Sequence, residues 1–237
     1  MTFIPLPIII MYALLIPCVA LFLFNAYRAE GKPAAATVFK GISTWIIVCA
    51  ALVGSLSMFG QSSLFSVLII AGLVMGLSGD VALRFSGQGF ISGMVFFALG
   101  HLCYIAAMVI TSGFVLFSIP VFVLLYAVVF VIILRNRVNL REMFIPSIIY
   151  GAVITCMLSL TVTMPLSVFP NGLILLFACI LFVVSDALLA KTTFTLAYNW
   201  PVFHLSPNER CPVSLCCYFA GQSLFAVSVY YIVGTIA

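Results

Sequence analysis

Charge is what this sequence has least of. Acidic and basic residues together make up 6% of 237 residues, 65% are apolar, and the mean hydropathy is +1.37. A water-soluble domain has about a quarter of its residues charged. A globule of 25.7 kDa built from this chain could not cover itself with polar surface. Lipid has to be its solvent. The nine basic residues are spread over the whole length and form no stripe, which argues against nucleic acid as a partner.

Other absences narrow the chemistry. The only histidines are His101 and His204, whereas a catalytic zinc takes about three His or carboxylate ligands around an open position. No Gly-x-Ser-x-Gly elbow presents a serine nucleophile. The eight cysteines make no disulfide framework. Cys18, Cys49, Cys103, Cys156 and Cys179 lie in apolar runs, where a thiol packs as a small apolar group. Cys211, Cys216 and Cys217 stand at the start of the last run, on the side read below as reducing. Neither a metal nor a cofactor is expected. The first run has no basic stretch before it and no small-x-small site after it, so it is expected to remain as a span. Leu15-Ile16-Pro17-Cys18 is only loosely like a lipoprotein cleavage box.

What the chain does have is apolar length. About 20 apolar residues cross a hydrocarbon core as a helix, and eight such runs occur: 5–27, 41–58, 64–83, 90–111, 114–134, 143–163, 170–190 and 213–235. They are unbroken, as in Leu64–Leu77, where a barrel strand would alternate apolar and polar residues. The short second run and the boundary at Ser112-Gly113 leave seven or nine spans open. The basic residues decide. Arg28, Lys32 and Lys40 fall in the first connection, Arg84 in the third, Arg135, Arg137 and Arg141 in the fifth, and Lys191 and Arg210 in the seventh. The other connections and both ends have none, as the positive-inside rule requires of eight helices with both termini outside. The expected fold is therefore an all-α polytopic integral membrane protein, one eight-helix domain over residues 1–237.

Few ionisable residues enter the spans, and one that does is a functional candidate because of what it costs there. Asp80 lies near the inner end of the third run and Asp186 near that of the seventh, with His101 midway along the fourth. Asp80 precedes Arg84 by four residues, about 6 Å of helix, and Asp186 precedes Lys191 by five, about 7.5 Å. The two carboxylates thus sit at matched depth. Asn25, Tyr150, Tyr218 and Gln222 also occupy inner halves, while the outer halves hold little beyond Ser and Thr, a pattern that describes a cavity open to the cytoplasm. The plainer alternative is local pairing, since Asp80 and Arg84 have the i,i+4 spacing of a helix-surface ion pair. There is also an internal echo. Gly79-Asp80-Val81-Ala82-Leu83 is like Ser185-Asp186-Ala187-Leu188-Leu189, and Ala98-Leu99-Gly100-His101 is like Phe219-Ala220-Gly221-Gln222. It suits two parallel four-helix halves with one Asp each, and equally a coincidence between apolar helices.

These residues resemble a known family. Gly79-Asp80-x-x-Leu83, Phe90-x-x-Gly93-x-x-Phe96 and Gly100-His101-x-x-Tyr104 look like the first signature of the YhhN-like family. Phe182-x-x-Ser185-Asp186-x-x-Leu189-Ala190 is similar to its second signature and Tyr218-x-x-x-Gln222 to its third, while Lys32-Pro33 and Tyr150 match two further positions. Characterised members are lysoplasmalogenases, so the resemblance implies a membrane hydrolase of lipid metabolism. Its substrate would be a lysophospholipid whose vinyl ether is cleaved to a fatty aldehyde and a glycerophospho-ethanolamine or -choline. The long seventh connection, Thr192–Pro212, and Arg84 after the first motif depart from the pattern and bear on substrate identity.

Vinyl-ether hydrolysis needs an acid aimed at the alkenyl carbon, an anion near the oxocarbenium ion that results, and a placed water. Two carboxylates in unlike surroundings can divide that work, as in glycosidases. With Arg84 one turn away, Asp80 is assigned as the ionised partner and Asp186 as the acid, supported by His101, Tyr104, Tyr150, Tyr218, Gln222 and Asn25. Lys32, Arg84 or Lys191 would meet the lipid phosphate. The rival class is a proton-coupled transporter of a small molecule or lipid, using the same intramembrane acids. A compact chain of this kind is expected in a bacterial inner membrane.

Overall fold

In lipid a chain that cannot hydrogen-bond its backbone to water must do so internally, which leaves helices for unbroken apolar runs. A computed structural model describes residues 4–27, 33–57, 64–83, 89–164, 172–194 and 212–236, with no strand among them. The helices are α1 (Leu6–Tyr27), α2 (Pro33–Ser57), α3 (Leu64–Ala82), α4 (Gly89–Ser112), α5 (Ser118–Arg135), a short α6 (Arg137–Leu140), α7 (Phe144–Val162), α8 (Gly172–Phe194) and α9 (Pro212–Ile236). A 3-10 turn, Arg141–Met143, leads into α7. All but α6 give a stretch long and apolar enough to cross a membrane, eight in total. The chain is an integral membrane protein.

Seven spans agree with the sequence reading to within four residues at each end. The second does not. Expected at 41–58, it begins at Pro33, because a proline preset for the first helical position is followed by Ala34, Ala35 and Ala36, the best helix formers. Lys40, expected in a connection, therefore stands about two turns inside α2. The boundary at Ser112-Gly113 is real. Gly113 has φ +72° and donates its N–H to the Val109 carbonyl at 2.9 Å, the left-handed ending that glycine allows a helix.

The spans are not equally buried. In α9, 72% of the membrane-crossing stretch is buried against the rest of the protein, while in α5 the figure is 6%. α9 packs on α8, α2 and α3, and α5 packs mainly on α7. Such contacts in a bilayer come from close packing and polar links, because lipid tails are as apolar as leucine. The α3–α4 seam is one case. A Cβ on Gly100 would stand 2.9 Å from the Gly72 carbonyl oxygen, so the two backbones touch there. A polar link joins α9 to α2, where the Tyr230 hydroxyl donates to the Ala50 carbonyl at 2.6 Å.

Candidate functional site

The last turns of α3 and α8, the first half of α2 and the start of α9 meet around a cleft of about 340 Å³, counted to its open mouth. Asp80 and Asp186 both line it, with Lys40, Tyr218, Ser185 and Ser214 as the other polar groups and Leu83, Phe97, Leu189 and Leu215 as apolar walls. α8 and α9 are clasped at its edge. Ser185 Oγ donates to the Ser214 carbonyl at 2.9 Å, and Ser214 Oγ donates to the Ser185 carbonyl at 2.8 Å.

Asp80 is buried, with Oδ1 in an ion pair that has no hydrogen-bond geometry and Oδ2 in two hydrogen bonds. The Lys40 ammonium lies 2.9 Å from its Oδ1, both side chains being almost wholly enclosed. Its Oδ2 accepts hydrogen bonds from Thr44 Oγ1 at 2.7 Å and from the Tyr218 hydroxyl at 2.8 Å. A lone buried ammonium or carboxylate would be very costly, and the pair with its extra hydrogen bonds offsets that cost. Behind Tyr218 the donors run in one direction. The Tyr104 hydroxyl donates to Gln222 Oε1 at 3.1 Å, and Gln222 Nε2 donates to the Tyr218 hydroxyl at 3.2 Å. Every donor in this series points toward Asp80, as suits an ionised carboxylate, which only accepts.

Asp186 has different company. Its Oδ2 accepts from the Tyr150 hydroxyl at 2.6 Å. The Tyr150 oxygen lies 3.0 Å from His101 Nε2, which is itself 3.9 Å from Asp186 Oδ2. For Tyr150 to donate to Asp186 and still accept from His101, the imidazole must carry its proton on Nε2. His101 Nδ1 is then a buried acceptor with no hydrogen-bond partner among the described residues. No Lys or Arg among those residues pairs with Asp186, and its side chain keeps 19% exposure against 2% for Asp80. Phe182 stands between the two networks, its ring 4.8 Å from that of His101 and 5.5 Å from that of Tyr218.

Of the residues singled out in the sequence, Asp80, Asp186 and Tyr218 line the cleft, Tyr150 and His101 back Asp186, and Gln222 and Tyr104 back Tyr218. Two are elsewhere. Asn25 donates to the Leu21 carbonyl of its own helix at 2.8 Å, a local side-chain-to-backbone bond that a short amide makes within a helix. Lys191, in the last turn of α8, is exposed and not part of the cleft wall. Lys32 and Arg84 lie outside the described residues. The cation found on Asp80 among the described residues is Lys40. Lys40, Thr44 and Phe182 were missed, although a helix started at Pro33 would have carried Lys40 into the membrane beside the acids.

No curated protein and no solved structure matches this chain. The profile of the YhhN family matches residues 35–229, a stretch that includes every residue of both carboxylate networks. This chain belongs to the YhhN family.

Proposed function

We propose that this protein hydrolyses the vinyl ether of lysoplasmalogens, releasing a fatty aldehyde and a glycerophospho-ethanolamine or -choline. The observation that carries the reading is the unlike pair in one cleft, an ion-paired Asp80 facing the same space as an Asp186 that pairs with no Lys or Arg among the described residues. Family membership supports it. General acid chemistry needs a carboxyl group free to carry and release a proton, and Asp186 is the acid of the two that pairs with no Lys or Arg among the described residues.

Asp186, protonated, donates to the outer alkenyl carbon, forming a C–H bond and leaving an oxocarbenium ion across the ether oxygen and its carbon. Asp80 supplies fixed negative charge near that cation and orients a water, which adds to the carbon and returns its proton to Asp186. The hemiacetal then breaks its C–O bond to the glycerol oxygen, giving aldehyde and alcohol with no net change in protons. The alkenyl chain would pass between the apolar walls. The zwitterionic head would remain at the mouth, on the side of the exposed Arg135, Arg137, Arg141 and Lys191. By the positive-inside rule that side is cytoplasmic and both termini lie outside, in a bacterial inner membrane on this reading.

The test is an incubation of purified protein with a lysoplasmalogen and, in parallel, with the matching ester lysolipid. Aldehyde from the first and no hydrolysis of the second is the expected result. If no lysoplasmalogen yields aldehyde, the substrate assignment fails and a proton-coupled carrier becomes the better account of the same two acids.

A further inference from the structure

The surroundings of the two acids correspond position by position. Thr44 donates to Asp80 and Tyr150 donates to Asp186, each across 36 residues. At that same constant offset, Gly72 corresponds to Ala178, Gly76 to Phe182 and Gly79 to Ser185. On the following span a second constant offset relates Gly93 to Ser214, Gly100 to Gly221, His101 to Gln222 and Tyr104 to Phe225. Contacts obey the correspondence. A Cβ on Gly100 would meet the Gly72 carbonyl, and one on Gly221 would meet the Ala178 carbonyl. Gly76 is filled by the Gln222 amide, and its counterpart Phe182 packs on His101. Tyr104 and its counterpart Phe225 stack on each other at 3.9 Å, and Phe97 meets its counterpart Tyr218 edge-on at 5.9 Å, as residues beside a two-fold axis must. The helix neighbours follow suit, α1–α2 with α5–α7, α2–α3 with α7–α8, α3–α4 with α8–α9, and α2–α9 with α4–α7. Counterparts are four spans apart and so run the same way through the membrane.

Within that symmetry the surroundings of the two acids differ. Asp80 receives Lys40, Thr44 and Tyr218. The corresponding positions around Asp186 are Pro146, Tyr150 and Phe97, so among the described residues the second carboxylate keeps one hydrogen-bond donor and has neither a counterpart of the cation nor one of the second hydroxyl. We propose that the cleft is a duplicated carboxylate site in which Lys40 fixes the first copy, Asp80, as a permanent ion pair, and the loss of its counterpart at Pro146 leaves the second copy, Asp186, as the one that exchanges protons with the cleft. Lys40 is then a positioning residue, acting through Asp80. The inference concerns the state of the two acids and holds for any substrate.

It is tested without substrate. N,N′-dicyclohexylcarbodiimide, an apolar reagent, adds to protonated carboxyl groups and spares carboxylates. Asp80 is the more enclosed of the two acids, so the decisive comparison sets each acid against its own variant rather than one acid against the other. In the full-length protein at neutral pH, mass spectrometry should find Asp186 modified and Asp80 spared. Lys40→Met should raise modification of Asp80 by about tenfold or more, the scale on which a contacting opposite charge changes protonation. Pro146→Lys places the cation in the second copy and should protect Asp186 by a similar factor. Elution as a single symmetric peak in detergent shows that each variant is folded. If Lys40→Met does not fold, Pro146→Lys decides. Equal modification of both acids, an Asp80 still spared in a folded Lys40→Met, or an Asp186 still modified in a folded Pro146→Lys would each overturn the proposal. An absence of aldehyde in the lipid assay would not touch it.

Discussion

The Asp80 and Asp186 ends of the cleft are built from the same kinds of helix but balanced in opposite ways. At Asp80 three donors, one of them a cation, converge on a carboxylate that is almost fully enclosed. At Asp186 a single hydroxyl among the described residues, that of Tyr150, does so, and the side chain still reaches the cleft. An acid with one partner and access to the cleft can change state. That difference, rather than the mere presence of two intramembrane acids, is what the proposed division of tasks rests on.

The largest expected stability effect breaks the comparison at its tighter end. Asp80→Asn leaves the Lys40 ammonium buried without a counter-charge and should destabilise the protein by about 3–5 kcal/mol. The neutral Asp186→Asn should cost less than about 1 kcal/mol. Thermal unfolding of both variants in the same detergent makes the measurement, and equal losses would show that the two ends are alike. Adding Lys40→Met to Asp80→Asn removes the stranded charge and should recover about half of the loss or more, a coupling expected of residues in one network.

How far the site was legible follows from where its residues lie along the chain. The acids stood out because charge is so scarce that each one in a span is conspicuous, and Tyr150, His101, Tyr218 and Gln222 were legible at matching depths. Lys40 was not, because a lysine near the end of an apolar run reads as part of the adjoining connection. Only the cross-helix contact with Asp80 explains its burial. Asn25 misled for the opposite reason. Its depth was right, but whether a polar side chain faces a cavity or its own helix depends on rotation about the helix axis, and the weak amphipathic pattern of an apolar span does not fix that. The span ends were readable to a few residues, except where Pro33 and three alanines extended α2 beyond its apolar part.

A smaller effect sharpens the contrast between the seams and the periphery. Gly100→Val would push against the Gly72 carbonyl and should destabilise by about 1–3 kcal/mol, the range for overpacking. Next comes His101→Gln. It keeps a donor for the Tyr150 hydroxyl but changes its reach, and should lower aldehyde release by about tenfold, roughly 1.4 kcal/mol of barrier, with little change in unfolding temperature. The smallest effect belongs to α5. Val128→Ala on its exposed face should shift stability by less than about 0.5 kcal/mol, and a loss as large as that at Gly100 would show that this face is covered by protein.

The claim that Asp186 gives the proton is tested most directly by aldehyde release from a lysoplasmalogen in Asp186→Asn protein that elutes and unfolds like the parent. Asparagine keeps the shape and removes the transferable proton, and general acid catalysis contributes about 10²–10⁴-fold. A fall in turnover of that size, with the unfolding temperature preserved, is the predicted result. Aldehyde release at the parent's rate from the folded Asn variant would contradict the account.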